Sequence, residues 1–237
     1  EAAKYLADAT RLIRVAFEIP VDESAINSGG PTHALVLAEQ QARATAVERA
    51  MDSAFAAASA TKSLDDLLPD NPSALLTQAQ FEKLWSWLPV RVKVSEAELL
   101  FTTARDGFSL RSLMSHCEYH EPVVLVIQSS DHNVFGAFLP NALRLSGNRY
   151  YGTGETFLFT FAPEPVMYEW CVGRNSFFML VDHKSISVGG GGEGSGLWID
   201  DELNRGISHN SETFDNHPLN GGSKEFTIMS LEVFTFK

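Results

Sequence analysis

From residue 95 onward the sequence is a succession of short apolar runs, each closed by a turn cluster. The runs are AELLFT (97–102), VVLVIQ (123–128), VFGAFL (134–139), TFLFTF (156–161), FFMLV (177–181), SISVG (185–189), GLWID (196–200) and EFTIMSLEVFTF (225–236). Clusters such as SSDHN, GTG, GRNS and LNGGS separate them. Runs this short cross a sheet but do not sustain a helix, so the spacing predicts an antiparallel sandwich or barrel. Thirteen of the sixteen phenylalanines lie beyond residue 100, which places the bulky core material in this region. The last run alternates poorly, as a strand covered on both faces would. One helix is expected to interrupt the strands: Ser109 caps LRSLMSHCEYH, with Leu110, Leu113, Met114 and Cys117 on its inner side.

The first third has a different texture. Leu6, Ala9, Ile13 and Phe17 share one helical face, and Pro20 ends that pattern. The INSGGPTH segment (26–33) cannot continue a helix. The alanine-rich stretch 34–60 reads as a long helix, although Leu37, Val47, Met51 and Phe55 give it only a thin apolar stripe. Residues 61–76 carry two prolines and read as a connector. Thr77 then caps QAQFEKLWSWLP, whose Phe81, Leu84, Trp85 and Leu88 share a face that ends at Pro89. The expected organisation is a helical annex and linker over 1–76, followed by a domain over 77–237 with its core at 95–237.

Charge and cysteine content narrow the function. The formal charge is −12, and residues 95–237 hold 9 Lys+Arg against 18 Asp+Glu, a net −9. Such a field repels phosphate backbones and anionic headgroups, so nucleic acid is not an expected partner, and a basic protein surface is. No run of 18 apolar residues exists, and membrane insertion is not expected. Two cysteines, Cys117 and Cys171, make neither a disulfide framework nor a zinc spacing, which suits a reducing cytoplasm. The chain opens on Glu1 rather than Met, as an excised fragment would.

Six segments, read in order, carry a resemblance: FTTARDGFSLRSL (101–113), PVVLVIQSSDHNVFGAF (122–138), YYGTGETFLFTF (150–161), SVGGGGEGSGLWIDDELNRGIS (187–208), TFDNHPL (213–219) and FTIMSLEVFTF (226–236). They resemble the TLDc family of oxidation-resistance proteins in order and spacing over some 135 residues. The LWSWLP lead-in (84–89) is similar to the approach in the subgroup that joins TLDc to a Rab-GAP (TBC) domain. The resemblance implies an α+β fold, an antiparallel β-sandwich with flanking helices, here preceded by the mostly helical N-terminal segment. It also implies V-ATPase subunits as partners, a part in oxidative-stress resistance and vesicle traffic, and a cytoplasmic location peripheral to endosomal or synaptic vesicle membranes. Small GTPases would be reached through a TBC domain outside this chain, because neither the IxxDxxR nor the YxQ finger of that domain precedes residue 84.

The candidate chemistry lies in four places. Gly189, Gly190 and Gly191 open GGGGEG, which suggests a phosphate cradle; but Glu193 and a following strand replace the Lys-Ser/Thr and helix such a cradle needs, so a tight β-connection is expected. Gly152, Thr153, Gly154 and Glu155 form a sharp turn in which Gly154 is expected at positive φ and Glu155 is expected to hold backbone amides. The competing enzyme reading pairs Glu155 with Asp200 as general acid and base of a small hydrolase or peroxide-removing enzyme. Thr213, Phe214 and Asn216 are expected to form a structured turn, with Phe214 plugging the core. His209, Asp215 and His217 lack a supporting ligand pair at metal spacing, and neither metal nor cofactor is expected. Asp200, Asp201, Glu202 and Arg205 make an acidic turn suited to docking a partner. Both cysteines read as core residues, and Ser211 stands where relatives of the family carry a cysteine, so no thiol mechanism is expected there.

Overall fold

The computed structural model describes residues 70–237. The expected helices over 1–17 and 34–60, the 26–33 linker and most of the 61–76 connector lie outside the described residues.

The capping box predicts where the first described helix begins. Thr77 Oγ1 accepts from the Gln80 amide at 3.3 Å, and Gln80 Oε1 accepts from the Thr77 amide at 3.0 Å, starting α1 (Gln78–Trp87). Phe81, Leu84, Trp85 and Leu88 are all buried, as their spacing requires. Strand β1 (Ala97–Thr102) leads into the single-turn α2 (Thr103–Asp106), and Ser109 caps α3 (Leu110–Cys117) as expected. At that corner the Arg105 guanidinium holds the Asp106 carboxyl down to about 2. The strands that follow are β2 (Val123–Ser129), β3 (Val134–Leu139), β4 (Phe157–Thr160), β5 (Val166–Tyr168), β6 (Met179–Val181), β7 (Ser185–Val188), β8 (Leu197–Asp200), β9 (Arg205–Ile207) and β10 (Glu225–Phe236). The described residues are mostly antiparallel sheet with few helices.

Strand β10 joins two sheets. Its first residues, Glu225–Thr227, pair with β9, opening a sheet of order β10-β9-β8-β7-β6. Its remainder runs between β1 and β2, in a sheet of order β1-β10-β2-β3-β4-β5. The register shifts between Ile228 and Ser230, where a bulge lets one strand bend from one sheet into the other. The poor alternation read in the sequence has this cause: residues 225–229 alternate exposed and buried, while 231–235 are covered on both sides.

The two sheets enclose one core. Leu125 and Ile127 of β2, Phe135 and Ala137 of β3, and Leu158 of β4 meet Met179, Ile186, Val188, Leu197 and Ile199 from the other sheet. Each such fully buried aliphatic or phenyl side chain contributes about 1.5–3 kcal/mol. The outer face of the first sheet is also covered, and α1 covers it. Trp85 packs on Phe236 (ring centroids 6.0 Å), and Trp87 on Phe159 (6.4 Å) and Phe161 (5.8 Å). That explains why β3 is buried along its whole length. The buried Glu232 points to this outer side, where its carboxylate accepts from Ser73 Oγ at 2.6 Å and the Ala74 amide at 3.1 Å.

Two strands and one helix were not legible as runs. β5 and β9 have three residues each, too few to show alternation, and α2 is a single turn between its cap Thr102 and Gly107.

Candidate functional site

Three of the singled-out segments converge through a fourth that sequence reading passed over. Thr213 is fully buried; its Oγ1 accepts from the Gly190 amide at 2.9 Å and donates to Asn175 Oδ1 at 2.7 Å. Asn175 Nδ2 bonds Gly190 O at 3.2 Å, and Asn175 O accepts from Trp170 Nε1 at 2.7 Å. Trp170 in turn covers Gly154 so closely that a Cβ there would lie 2.4 Å from the indole. The GTG turn, the glycine-rich loop and the 213–216 turn are therefore tied together by Trp170 and Asn175. GRNS had read only as a turn; its asparagine is the hub because its amide offers both donors and an acceptor.

Asn216 organises the adjoining turn. Its Oδ1 accepts from Ser211 N (3.2 Å) and Ser211 Oγ (2.7 Å), and its Nδ2 donates to His209 O (2.7 Å) and His217 O (3.1 Å). The side chain is fully buried and every bonding position it has is used. Phe214 enters the core beside Gly189, where a Cβ would sit 2.8 Å from its ring and where φ is +78°. Both roles match the expected structured turn.

The glycine-rich loop is a β-connection. Its amides are spent internally: Gly189 N on Phe178 O, Gly190 N on Thr213 Oγ1, Glu193 N on Asn210 O and Gly194 N on Gly191 O. Strand β8 follows it, so no helix dipole faces the loop. Glu193 pairs with Lys224 at 2.8 Å, which lowers its carboxyl below the usual range.

Two details of the GTGE turn correct the sequence reading. The residue at positive φ is Gly152 (+111°), not Gly154, whose constraint is the Trp170 ring. Glu155 does not hold the glycine-loop amides, and those of Gly189, Gly190, Glu193 and Gly194 are engaged elsewhere. It pairs instead with Arg91, whose Nε lies 3.3 Å from Oε1 and whose second guanidinium nitrogen meets Oε2. Both side chains are about half exposed, so the pair contributes at most about 1 kcal/mol. Glu155→Gln should accordingly shift the melting temperature by no more than about 2–4 °C. A loss of many degrees in a thermal melt would show that the charge carries structural weight.

Asp200 is committed differently. Its Oδ1 accepts from the amides of Asn204 (2.8 Å) and Arg205 (3.1 Å), holding the β8–β9 turn. The cleft lined by Glu155 also includes Trp87, Pro89, Gly154, Thr156, Phe157, Met167 and Glu169, and Asp200 is not in it. Asp201, Glu202 and Arg205 are exposed beside it, and the Asp201 carbonyl accepts from the Leu110 amide at 2.9 Å. The turn is thus an acidic surface braced against α3, with the half-exposed Phe108 just before that helix.

Of the histidine loop, Asp215 pairs with Arg174 at 3.4 Å, and no cluster of three metal-ligating side chains occurs among the described residues. Cys117 is fully buried, and burial pushes its thiol up to about 12. Cys171 is half-buried. A thiol reagent at about pH 8 should therefore modify Cys171 alone in the native chain and both residues after unfolding. Equal rates at the two sites, read by mass spectrometry, would contradict this.

Comparison with known proteins adds a family signature. The family model for the TLDc domain matches residues 69–237. Mouse nuclear receptor coactivator 7 is 40% identical over 166 residues, covering 70% of this chain and 17% of that protein. Rat oxidation resistance protein 1 is 40% identical over 168 residues, 70% of this chain and 20% of its own length. The GTPase-activating protein skywalker of Drosophila melanogaster is 40% identical over 169 residues, 65% of this chain and 28% of its own length. The chain thus spans about a fifth to a quarter of these relatives.

Proposed function

Because the chain belongs to the TLDc domain family, we propose that its described domain is a non-catalytic protein-interaction module. It acts in oxidative-stress resistance and in vesicle traffic, and it regulates V-ATPase assembly by binding V-ATPase subunits. Its setting is the cytoplasmic face of endosomal or synaptic vesicle membranes. Where small GTPases are engaged, a TBC domain outside this chain engages them.

The observation that carries the proposal is the full commitment of the polar groups in the family motif. Thr213 bonds the Gly190 amide and Asn175, Asn216 bonds Ser211, His209 and His217, and Glu155 and Asp200 serve separate partners. A general acid and base must share a substrate within hydrogen-bond reach, and these two carboxylates do not line one cleft. What the motif does offer is a rigid frame presenting the acidic Asp200–Glu202 turn and Phe108. An acidic turn beside an exposed aromatic fits a basic, partly apolar protein surface.

The test is a pull-down of purified V-ATPase subcomplexes on the immobilised 237-residue chain. Retention that weakens in Asp201→Lys and Glu202→Lys is the expected result. Failure to retain any subcomplex, with the chain shown folded by its near-ultraviolet circular dichroism, would overturn the proposed partner.

A further inference from the structure

The second acidic surface lies at the free edge of the first sheet. Strand β5 pairs with β4 through Thr160↔Val166, Phe159↔Met167 and Leu158↔Tyr168, and no described residue pairs with its other side. Tyr168 and Trp170 lean on the inner core, while Met167 and Glu169 face the side covered by α1. There they form, with Trp87, Pro89, Thr156 and Phe157, a cleft of about 250 Å³. An open strand edge beside an apolar cleft is the arrangement by which an extended peptide adds to a sheet. Main-chain bonds supply the pairing, and alternate side chains enter the cleft.

Charge selects the occupant. Residues 150–173 contain Glu155, Glu164 and Glu169 and not one Lys or Arg. Arg91 beside the cleft is paired with Glu155 and Lys83 lies over the outer Trp87 ring, while Glu164 and Glu169 stand exposed along the edge. Because β5 is short and preceded by Pro165, unspecific pairing is disfavoured, and an occupant needs the cleft as an anchor. Resting on the interaction-module function proposed above, we propose that β5 binds an extended basic–apolar segment of a partner protein. One apolar side chain seats between Trp87 and Met167, and a Lys or Arg two positions along, on the same face of the segment, meets Glu169.

The probe is a blocked heptapeptide with lysine and leucine at every second position and serine between them, so that both side chains share the cleft-facing side, titrated into the isotope-labelled chain. Saturable shifts centred on Val166–Glu169 and the Trp87 indole are expected, and none from the same peptide with glutamate in place of lysine. Glu169→Lys should weaken binding about tenfold or more, whereas Glu118→Lys, an equal change in net charge at an exposed residue outside both proposed surfaces, should leave it within about twofold. N-methylation along the pairing edge of the peptide should abolish binding. Shifts scattered over the acidic surface, equal losses in both variants, or no shifts would overturn the proposal. Shifts at β5 that grow with protein concentration without peptide would replace the partner by a second copy of the chain. A groove that fails while V-ATPase retention persists removes the groove alone; lost retention in the unaltered chain removes the proposed partner itself.

Discussion

Asn216→Ala should destabilise the domain by about 4 kcal/mol, because the truncation orphans three groups at once. Nδ2 is the donor to the carbonyls of His209 and His217, and Oδ1 is the acceptor for the Ser211 amide. Each buried group left unsatisfied costs about 1–3 kcal/mol, and the vacated volume adds to that. Asn216→Asp keeps the acceptor but loses both donor bonds and sets a carboxylate against two carbonyl oxygens, so it should not rescue. Urea unfolding measures both. An alanine variant within about 1 kcal/mol of the parent would mean that the turn repacks and that Asn216 is not its organiser.

Gly136→Ala should be as damaging or worse. A Cβ at that point of β3 would lie 1.9 Å from the backbone oxygen of Leu125 and 2.9 Å from the Phe159 ring. The oxygen belongs to the neighbouring strand and cannot swing aside as a side-chain tip would. The expected cost is at least about 3 kcal/mol, at the upper end of overpacking effects, and the variant should recover poorly as soluble protein. Gly154→Ala sets the comparison: there the obstacle is the half-buried Trp170 ring, a side chain that can move aside, although by about 1 Å to restore an ordinary contact. Denaturant midpoints should fall in the order parent, Gly154→Ala, Gly136→Ala. The reverse order would mean that the GTG turn, and not the β3 crossing, is the tighter constraint.

Those two glycines show what a sequence exposes. Gly154 stands out because it sits in a turn motif, and Gly136 is hidden inside VFGAFL, where nothing local marks how near the next strand passes. Strand positions were legible for a similar reason. Apolar runs at β2 and β3 coincide with the observed strands, since a strand covered by other elements must be apolar along its length. Thr77 and Ser109 announced two helices because capping is local chemistry. That α1 would cover the outer face of the first sheet was not legible. The amphipathic face of α1 names its own buried residues but not the sheet they meet.

The site divides along the same line. Phe214 and Asn216 were readable as a structured turn because asparagine and a lone aromatic between polar residues have few other uses. Asn175 and Trp170, which link that turn to the GTG segment, are distant from it in sequence and carry no local signal. Glu155 was expected at backbone amides, but Arg91, 64 residues away, takes it. Pairings at that separation follow from the tertiary fold alone.

Whether the domain protects by binding or by chemistry is decided most directly with hydrogen peroxide and the purified chain. A binding module has only its two thiols and five methionines to oxidise, so consumption should stop at or below about eleven equivalents per chain, three for each thiol and one for each methionine. The Glu155→Gln and Asp200→Asn variants should behave as the parent does. Sustained turnover far beyond that limit, lost in either variant while its melting temperature holds, would contradict the account and make those carboxylates catalytic.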